Sequence, residues 1–137
     1  MKKLLISIFI TLPLLACSQE KESLKEKFAD YFLIGATINQ EDYQIIDKDN
    51  KVLNIVSANF NSITPENSMK WMHSHPEYSK FTFSNAQKIT DFAKDNNMYL
   101  LGHTLVWHNQ VPEYVSEIND KAKFNLHLKN HIFLLNI

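Results

Sequence analysis

The chain alternates short apolar runs with longer segments in which apolar residues return every three or four positions. Phe32 to Ile38 is a compact apolar run containing Gly35, and it reads as a buried strand. Asp49 or Asn50 then supplies a helix cap. Val52, Leu53, Ile55, Val56 and Phe60 recur on one side and Lys51, Asn54 and Ser57 on the other, which predicts a helix ending near Asn59. Ser62 to Thr64 is a very short β-prone piece running into Pro65, a residue more natural at a strand end than in its middle. A polar, proline-bearing loop is expected through Ser79. Ser84 and Gln87 fit a capping box that opens a helix with Ile89, Phe92 and Ala93 inward, fading at Asn96 and Asn97. Met98 to Leu101 is again apolar and leads to Gly102. A last helix begins near Asn119, with Ile118, Ala122, Leu126, Ile132 and Phe133 on a shared face. The order strand, helix, strand, helix, strand, helix signals an α/β fold with parallel strands and right-handed crossovers, either an open doubly wound sheet or part of a barrel.

Ahead of this pattern lies an address. Lys2 and Lys3 form a positive n-region, Leu4 to Leu15 an apolar stretch short for a bilayer, and Ala16 a small residue immediately before Cys17. Leu14-Leu15-Ala16-Cys17 resembles a bacterial lipobox. Residues 1–17 then read as a lipoprotein signal peptide ending at Cys17, whose thiol takes a diacylglycerol and holds an exported protein on a membrane of the cell envelope. An ordinary secretory signal with a stray cysteine and a transmembrane anchor are the alternatives. Residues 18–27, rich in Glu, Lys, Ser and Gln, read as a polar tether or frayed helix, which leaves 28–137 as one modest domain.

Composition narrows the chemistry. With 45% hydrophobic and 12% aromatic residues a packed core is affordable, and a formal net charge of −1 without a basic stripe argues against nucleic acid as a partner. Cys17 is the single cysteine, so no intramolecular disulfide or cysteine-based metal site can form. His73 and His75 bracket Ser74, and His103 and His108 flank a predicted strand end, but neither pair brings a third ligand and no helical HExxH is present. No metal or other cofactor is expected.

Two stretches carry the candidate chemistry: Thr64 to Trp71, TPENSMKW, and Gly102 to Pro112, GHTLVWHNQVP. Each sets amide, carboxylate, ammonium, imidazole or indole groups just after a short apolar run, where an α/β protein exposes side chains at its strand ends. A polyhydroxylated ligand needs that mixture of donors, acceptors and a flat apolar ring. Glu66 can accept two hydroxyls, Asn67 can donate and accept, and Lys70 supplies donors. A Glu66–Lys70 ion pair on one helical turn is the plain alternative, as is a turn role for Asn67. His103 can bond a hydroxyl or serve the scaffold. Trp107 can face a pyranose ring or the core, and Gln110 can contact ligand or merely close its loop. Gly35 and Gly102, the 2 glycines of the chain, lie beside predicted strand ends where a backbone can pass closely. Glu113 lies nearby without a paired carboxylate and reads as a solvated loop residue.

The blocks SITPENSMKW and FTFSNAQKITDFAKDNNMYLLGHTLVWHNQVPEYV resemble the opening third of glycoside hydrolase family ten, the endo-β-1,4-xylanases, over roughly Phe32 to Ile132. The resemblance implies the first three βα units of a (β/α)8 barrel, incomplete and not closed, a retaining mechanism, and xylan or a xylo-oligosaccharide bound across the carboxyl ends of the strands. Position by position it implies that Glu66, Asn67 and Lys70 line the non-reducing side of the cleavage point, with His103, Trp107 and Gln110 beside them.

Retaining hydrolysis uses two carboxyl groups about 5 Å apart. The resemblance puts the acid/base Glu after an Asn at the fourth strand and the nucleophile on a later strand, and neither has a counterpart here. After Asn130-His131-Ile132 the tail Phe133 to Ile137 departs from the family pattern, as a frameshift, premature stop or incomplete gene would produce. The expectation is therefore a chain that holds substrate contacts without catalytic carboxylates, is inactive alone, and leaves an open sheet edge. The alternatives are a non-catalytic sugar-binding lipoprotein, and a structural lipoprotein with Trp107 and His103 buried away from any cleft.

Overall fold

A computed structural model describes residues 22–39 and 50–135. The expected signal segment 1–17, with Cys17, lies outside the described residues. Within them the chain forms α1 (Leu24–Lys27), β1 (Gly35–Ile38), α2 (Lys51–Asn59), β2 (Ser62–Pro65), α3 (Trp71–Ser74), α4 (Ser84–Asp95), β3 (Tyr99–Leu100), α5 (Glu113–Ser116) and α6 (Lys121–Leu135). The three strands make one parallel sheet in the order β1-β2-β3. Among the described residues no further strand pairs with β1 or β3, and the sheet is not closed.

Side chains alternate across this sheet. Ala36, Ile63 and Leu100 stand level in the register on one face, with Ile38 farther along β1. They pack with Leu53, Val56 and Phe60 of the α2 region and with Ile89, Phe92, Ala93 and Met98 of the α4 region, forming the core. Gly35, Thr37, Ser62 and Thr64 alternate onto the other face, where small and hydroxylated side chains tolerate partial exposure. The strand expected from Phe32 starts only at Gly35, and Phe32 and Leu33 are exposed. A Cβ on Gly35 or Gly102 would meet its nearest neighbour at 3.7 or 3.8 Å, ordinary contact, so close backbone approach is not what places glycine there.

The helix ends show which local signals act. The Asn50 side chain accepts from Val52 N and Leu53 N and starts α2, as the sequence indicates. Leu53, Val56 and Phe60 face the core, but Val52 and Ile55, on the adjoining stripe, point to solvent, because the narrow sheet covers less of the helix than its apolar residues span. The Ser84–Gln87 capping box does not form. Ser84 is already helical, Phe83 occupies the cap position without a side-chain bond, and Gln87 Nε2 donates to Asp91 instead. The far end of α4 is a Schellman motif: Asn97 adopts φ 52, its N–H meets Lys94 O, and Met98 N meets Ala93 O at 2.8 Å with Met98 buried.

Helix α6 buries a different face from the one its apolar spacing predicts. Its expected inward residues Leu126 and Phe133 are 54% and 73% exposed, while His127 and His131, one turn apart, are buried. The slot they enter is lined by flat rings. His131 stacks on Trp71 at 4.1 Å between centroids with planes 4° apart, and His127 sits edge-on to Tyr78 at 4.8 Å. Planar imidazoles fill such a slot better than branched aliphatic side chains. Among the described residues no helix is long and apolar enough to cross a membrane.

Burial separates two isoleucines that the sequence pattern treats alike. Ile63→Ala, at the centre of the sheet, is expected to cost about 3 kcal/mol and Ile55→Ala less than about 0.5 kcal/mol. Urea unfolding followed by circular dichroism measures both.

Candidate functional site at the strand ends

Two neighbouring strands deliver the candidate residues to the carboxyl edge of the sheet. Glu66 N donates to Ile38 O at 2.9 Å, carrying the β1–β2 ladder one step past β2, and Leu101 N donates to Ile63 O at 2.9 Å, doing the same for β3. The offset that pairs Ser62 with Tyr99 and Ile63 with Leu100, continued along the strands, brings Glu66 level with His103. Both side chains are exposed. The His103–Thr104 peptide is cis, and His103 lines a cavity of about 440 Å³ together with Met69, Phe83, Thr90 and Leu105.

Beyond Glu66 the chain turns into α3, and this turn gathers four of the six sequence-derived residues. Lys70 is only 7% exposed, and its Nζ donates to Asn67 Oδ1 at 2.9 Å and lies 4.7 Å from the centre of the Trp107 ring. Gln110 Nε2 donates to the same Asn67 oxygen at 3.2 Å. Trp107 is 37% exposed, so its ring is reachable while it covers the ammonium. Glu66 and His103 flank this group without a hydrogen bond to it among the described residues.

The Glu66–Lys70 ion pair allowed by sequence spacing is absent; the single salt bridge among the described residues joins Lys80 and Glu77. Lys70 is therefore a nearly buried ammonium held by an amide oxygen and an aromatic face, with two of its three N–H donors unpartnered among the described residues. Donors not taken by a neighbouring side chain are available to an external acceptor.

Gln110 is clamped from two directions by α3. Its carbonyl accepts from Met72 N at 2.9 Å and its side-chain oxygen lies 3.1 Å from His73 Nε2. The backbone there has φ 53, a left-handed conformation that disfavours residues with a Cβ, so these contacts hold Gln110 against an intrinsic preference. Sequence reasoning treats His73 and His75 as one loop pair. The structure sends them apart, His73 to Gln110 and His75 into the aromatic slot against Phe81, with ring centres 4.0 Å apart. Periodicity gives no signal for α3, which is a single turn. No group of three His, Cys, Asp or Glu side chains suited to a metal occurs among the described residues.

A second layer braces the site. His131 Nε2 lies 3.0 Å from Leu105 O, and because a carbonyl only accepts, Nε2 carries the proton. This bond ties α6 to the segment bearing Trp107, while the His131–Trp71 stack ties α6 to α3. Trp71 Nε1 donates to the Tyr114 hydroxyl at 3.1 Å, fastening α3 to α5. Burial pushes the Tyr114 phenol up, opposed by that bond. Burial, opposed by the Leu105 bond and reinforced by His75, holds the His131 imidazole at about 4, below its ordinary 6.5. His127 is lowered too, by burial first and then by Lys123 and His75. The Nδ1 atoms of His75 and His131 are buried without a partner among the described residues.

The family described as Glycosyl hydrolase family 10 matches this chain over residues 23–135. A beta-1,4-xylanase of Dictyoglomus thermophilum is 42% identical over 117 residues, which is 85% of this chain and 31% of that protein. Xylanase 10B from Thermotoga petrophila, solved in complex with xylobiose, is similar with a TM-score of 0.76 and 36% identity, covering 82% of this chain and 35% of the other. TsXylA, an intracellular xylanase from Thermoanaerobacterium saccharolyticum, gives a TM-score of 0.77 at 31% identity over 85% of this chain and 37% of its own. The chain thus spans about a third of the length of these relatives.

Buried neutral imidazoles make the bracing layer acid-sensitive. His131 takes a proton near 6.5 when unfolded and near 4 when folded, so the stability it contributes is complete above about 6.5 and is lost as the pH falls from there toward about 4. His127 acts with the same sign. The urea midpoint of the chain should fall between pH 7 and pH 4.5, and His131→Phe, which keeps a flat ring without a titrating nitrogen, should flatten the part of that slope between pH 6.5 and pH 4.5.

Proposed function

As the chain belongs to glycosyl hydrolase family 10, we propose that it forms one wall of a xylan-binding cleft, gripping the sugar on the non-reducing side of the bond to be cut. The observation that carries this reading is the convergence of Asn67, Lys70, Gln110 and Trp107 at the carboxyl edge of the sheet, around an ammonium with no carboxylate partner among the described residues. The donors of Lys70 and the amides meet hydroxyl and ring oxygens, the exposed carboxylate of Glu66 accepts hydroxyl protons, and the Trp107 face packs on a pyranose ring. The xylanase relatives and the xylobiose-bound neighbour support xylan as the polymer.

In this proposal residues 1–137 hold the ligand and do not break the glycosidic bond. Retention takes a proton donor at the leaving oxygen and a nucleophile at the anomeric carbon. Glu66 stands among donors at the binding edge, and Glu113 opens α5, so neither is offered as one of that pair. The second reading, a sugar-binding lipoprotein acting without hydrolysis, shares the same cleft. The lipobox Leu14-Leu15-Ala16-Cys17 supports export and attachment to a cell-envelope membrane through the Cys17 thiol.

Xylotriose should bind the chain with an affinity that Trp107→Ala lowers at least about ten-fold, in isothermal titration calorimetry. Incubation with xylan should release no reducing sugar above the blank; clear release would overturn the non-catalytic assignment. Radiolabelled palmitate fed to expressing bacteria should enter the wild-type chain and not Cys17→Ser.

A further inference from the structure

We infer that His73 is a positioning residue for this site, fixing through Gln110 which atoms of Asn67 a ligand meets. The relay begins at Lys70. An ammonium only donates, so the Asn67 atom 2.9 Å from Lys70 Nζ must be the oxygen. Gln110 approaches that same oxygen at 3.2 Å, and two oxygens would repel there, so Gln110 presents its nitrogen and turns its own oxygen the other way. That oxygen lies 3.1 Å from His73 Nε2, which therefore bears a proton and donates. Each assignment forces the next, so the orientations of the Asn67 and Gln110 amides are both fixed.

The consequence for recognition is directional. Lys70 and Gln110 together occupy the two acceptor positions of the Asn67 oxygen, so Asn67 offers a ligand its Nδ2 hydrogens alone. Lys70 adds its remaining donors. This patch therefore selects oxygens that accept, such as ring, glycosidic or hydroxyl oxygens presenting lone pairs, and leaves hydroxyl protons to the Glu66 carboxylate. Without a donor at residue 73 the Gln110 oxygen loses its partner, the amide gains a second orientation, and the left-handed backbone at Gln110 keeps only the Met72 N–H as a clamp. His73 itself need touch no sugar. It lies on α3, which also carries Trp71 of the bracing stack, so the rotamer of Gln110 is set by the element that anchors to α6.

The inference rests on the sugar-binding reading for its effect on affinity, but not for the relay itself, and the experiment separates the two. The test uses the full 15N-labelled chain, wild type, His73→Leu and His73→Gln, comparing side-chain amide signals without ligand and then titrating with xylotriose. His73→Leu should shift the Gln110 and Asn67 amide signals, speed their hydrogen exchange and weaken xylotriose about two- to ten-fold, the range of one lost hydrogen bond. His73→Gln, which restores a donor at about the same reach, should return both readouts toward wild type. The relay is overturned if His73→Leu leaves those amide signals unmoved, if His73→Gln is as impaired as His73→Leu, or if the wild-type ring carries its only proton on Nδ1. That last measurement needs no variant to fold. Amides that respond as expected in a wild-type chain that takes up no xylotriose would support the relay and overturn the proposed function instead.

Discussion

One nearly buried ammonium organises the carboxyl edge of this sheet. Among the described residues no carboxylate pairs with Lys70, so its charge is held by the Asn67 oxygen, by the face of Trp107 and by whatever accepts its remaining donors. An ion pair would have quenched it and left the edge inert toward neutral ligands. An amide oxygen stabilises the charge only partly, and in the proposed function that deficit becomes an affinity for oxygen lone pairs. The surrounding contacts follow from this arrangement: Asn67 is turned by Lys70, Gln110 by Asn67, and Trp107 is drawn over the cation.

The proposed binding role calls for stiff support, because it depends on how these side chains are oriented. The support comes from rings. Trp71 stacks against His131, His75 packs against Phe81, and Tyr114 and Tyr78 close on His127, so that three helices meet through flat surfaces with few polar exits. The proton on His131 Nε2 points at Leu105 O and links this layer to the strand end carrying His103. Aromatic packing of this kind resists sliding, since small displacements forfeit contact across a whole ring.

Much of the fold was legible wherever a local signal was decisive. Asn50 caps its helix by its own side chain, Asn96 and Asn97 end the next one through a left-handed residue, and Pro65 closes β2, each by chemistry contained within a few residues. What was illegible depended on distant partners. Ser84 and Gln87 have the composition of a capping box, yet the helix begins one residue earlier. Leu126 and Phe133 look like core, but the slot they would have filled is shaped for imidazoles by Trp71 and Tyr78, more than forty residues away. The candidate site divides the same way. Residue types at strand ends could suggest a sugar, and the family resemblance named six positions. That Lys70 turns to Asn67 and not to Glu66, and that His73 reaches Gln110, arises from a one-turn helix below the length at which periodicity speaks.

Pro65 also has a wider effect. Successive N–H groups along a strand point to opposite sides, and Glu66 N points at β1, so the neighbouring position would have pointed at β3. Proline has nothing to offer there. The seam between β2 and β3 stops at the Leu101 to Ile63 bond, short of the positions where Glu66 and His103 emerge. A missing hydrogen atom thereby ends the ladder between these two strands just before the candidate residues, without any bulky side chain having to interrupt it.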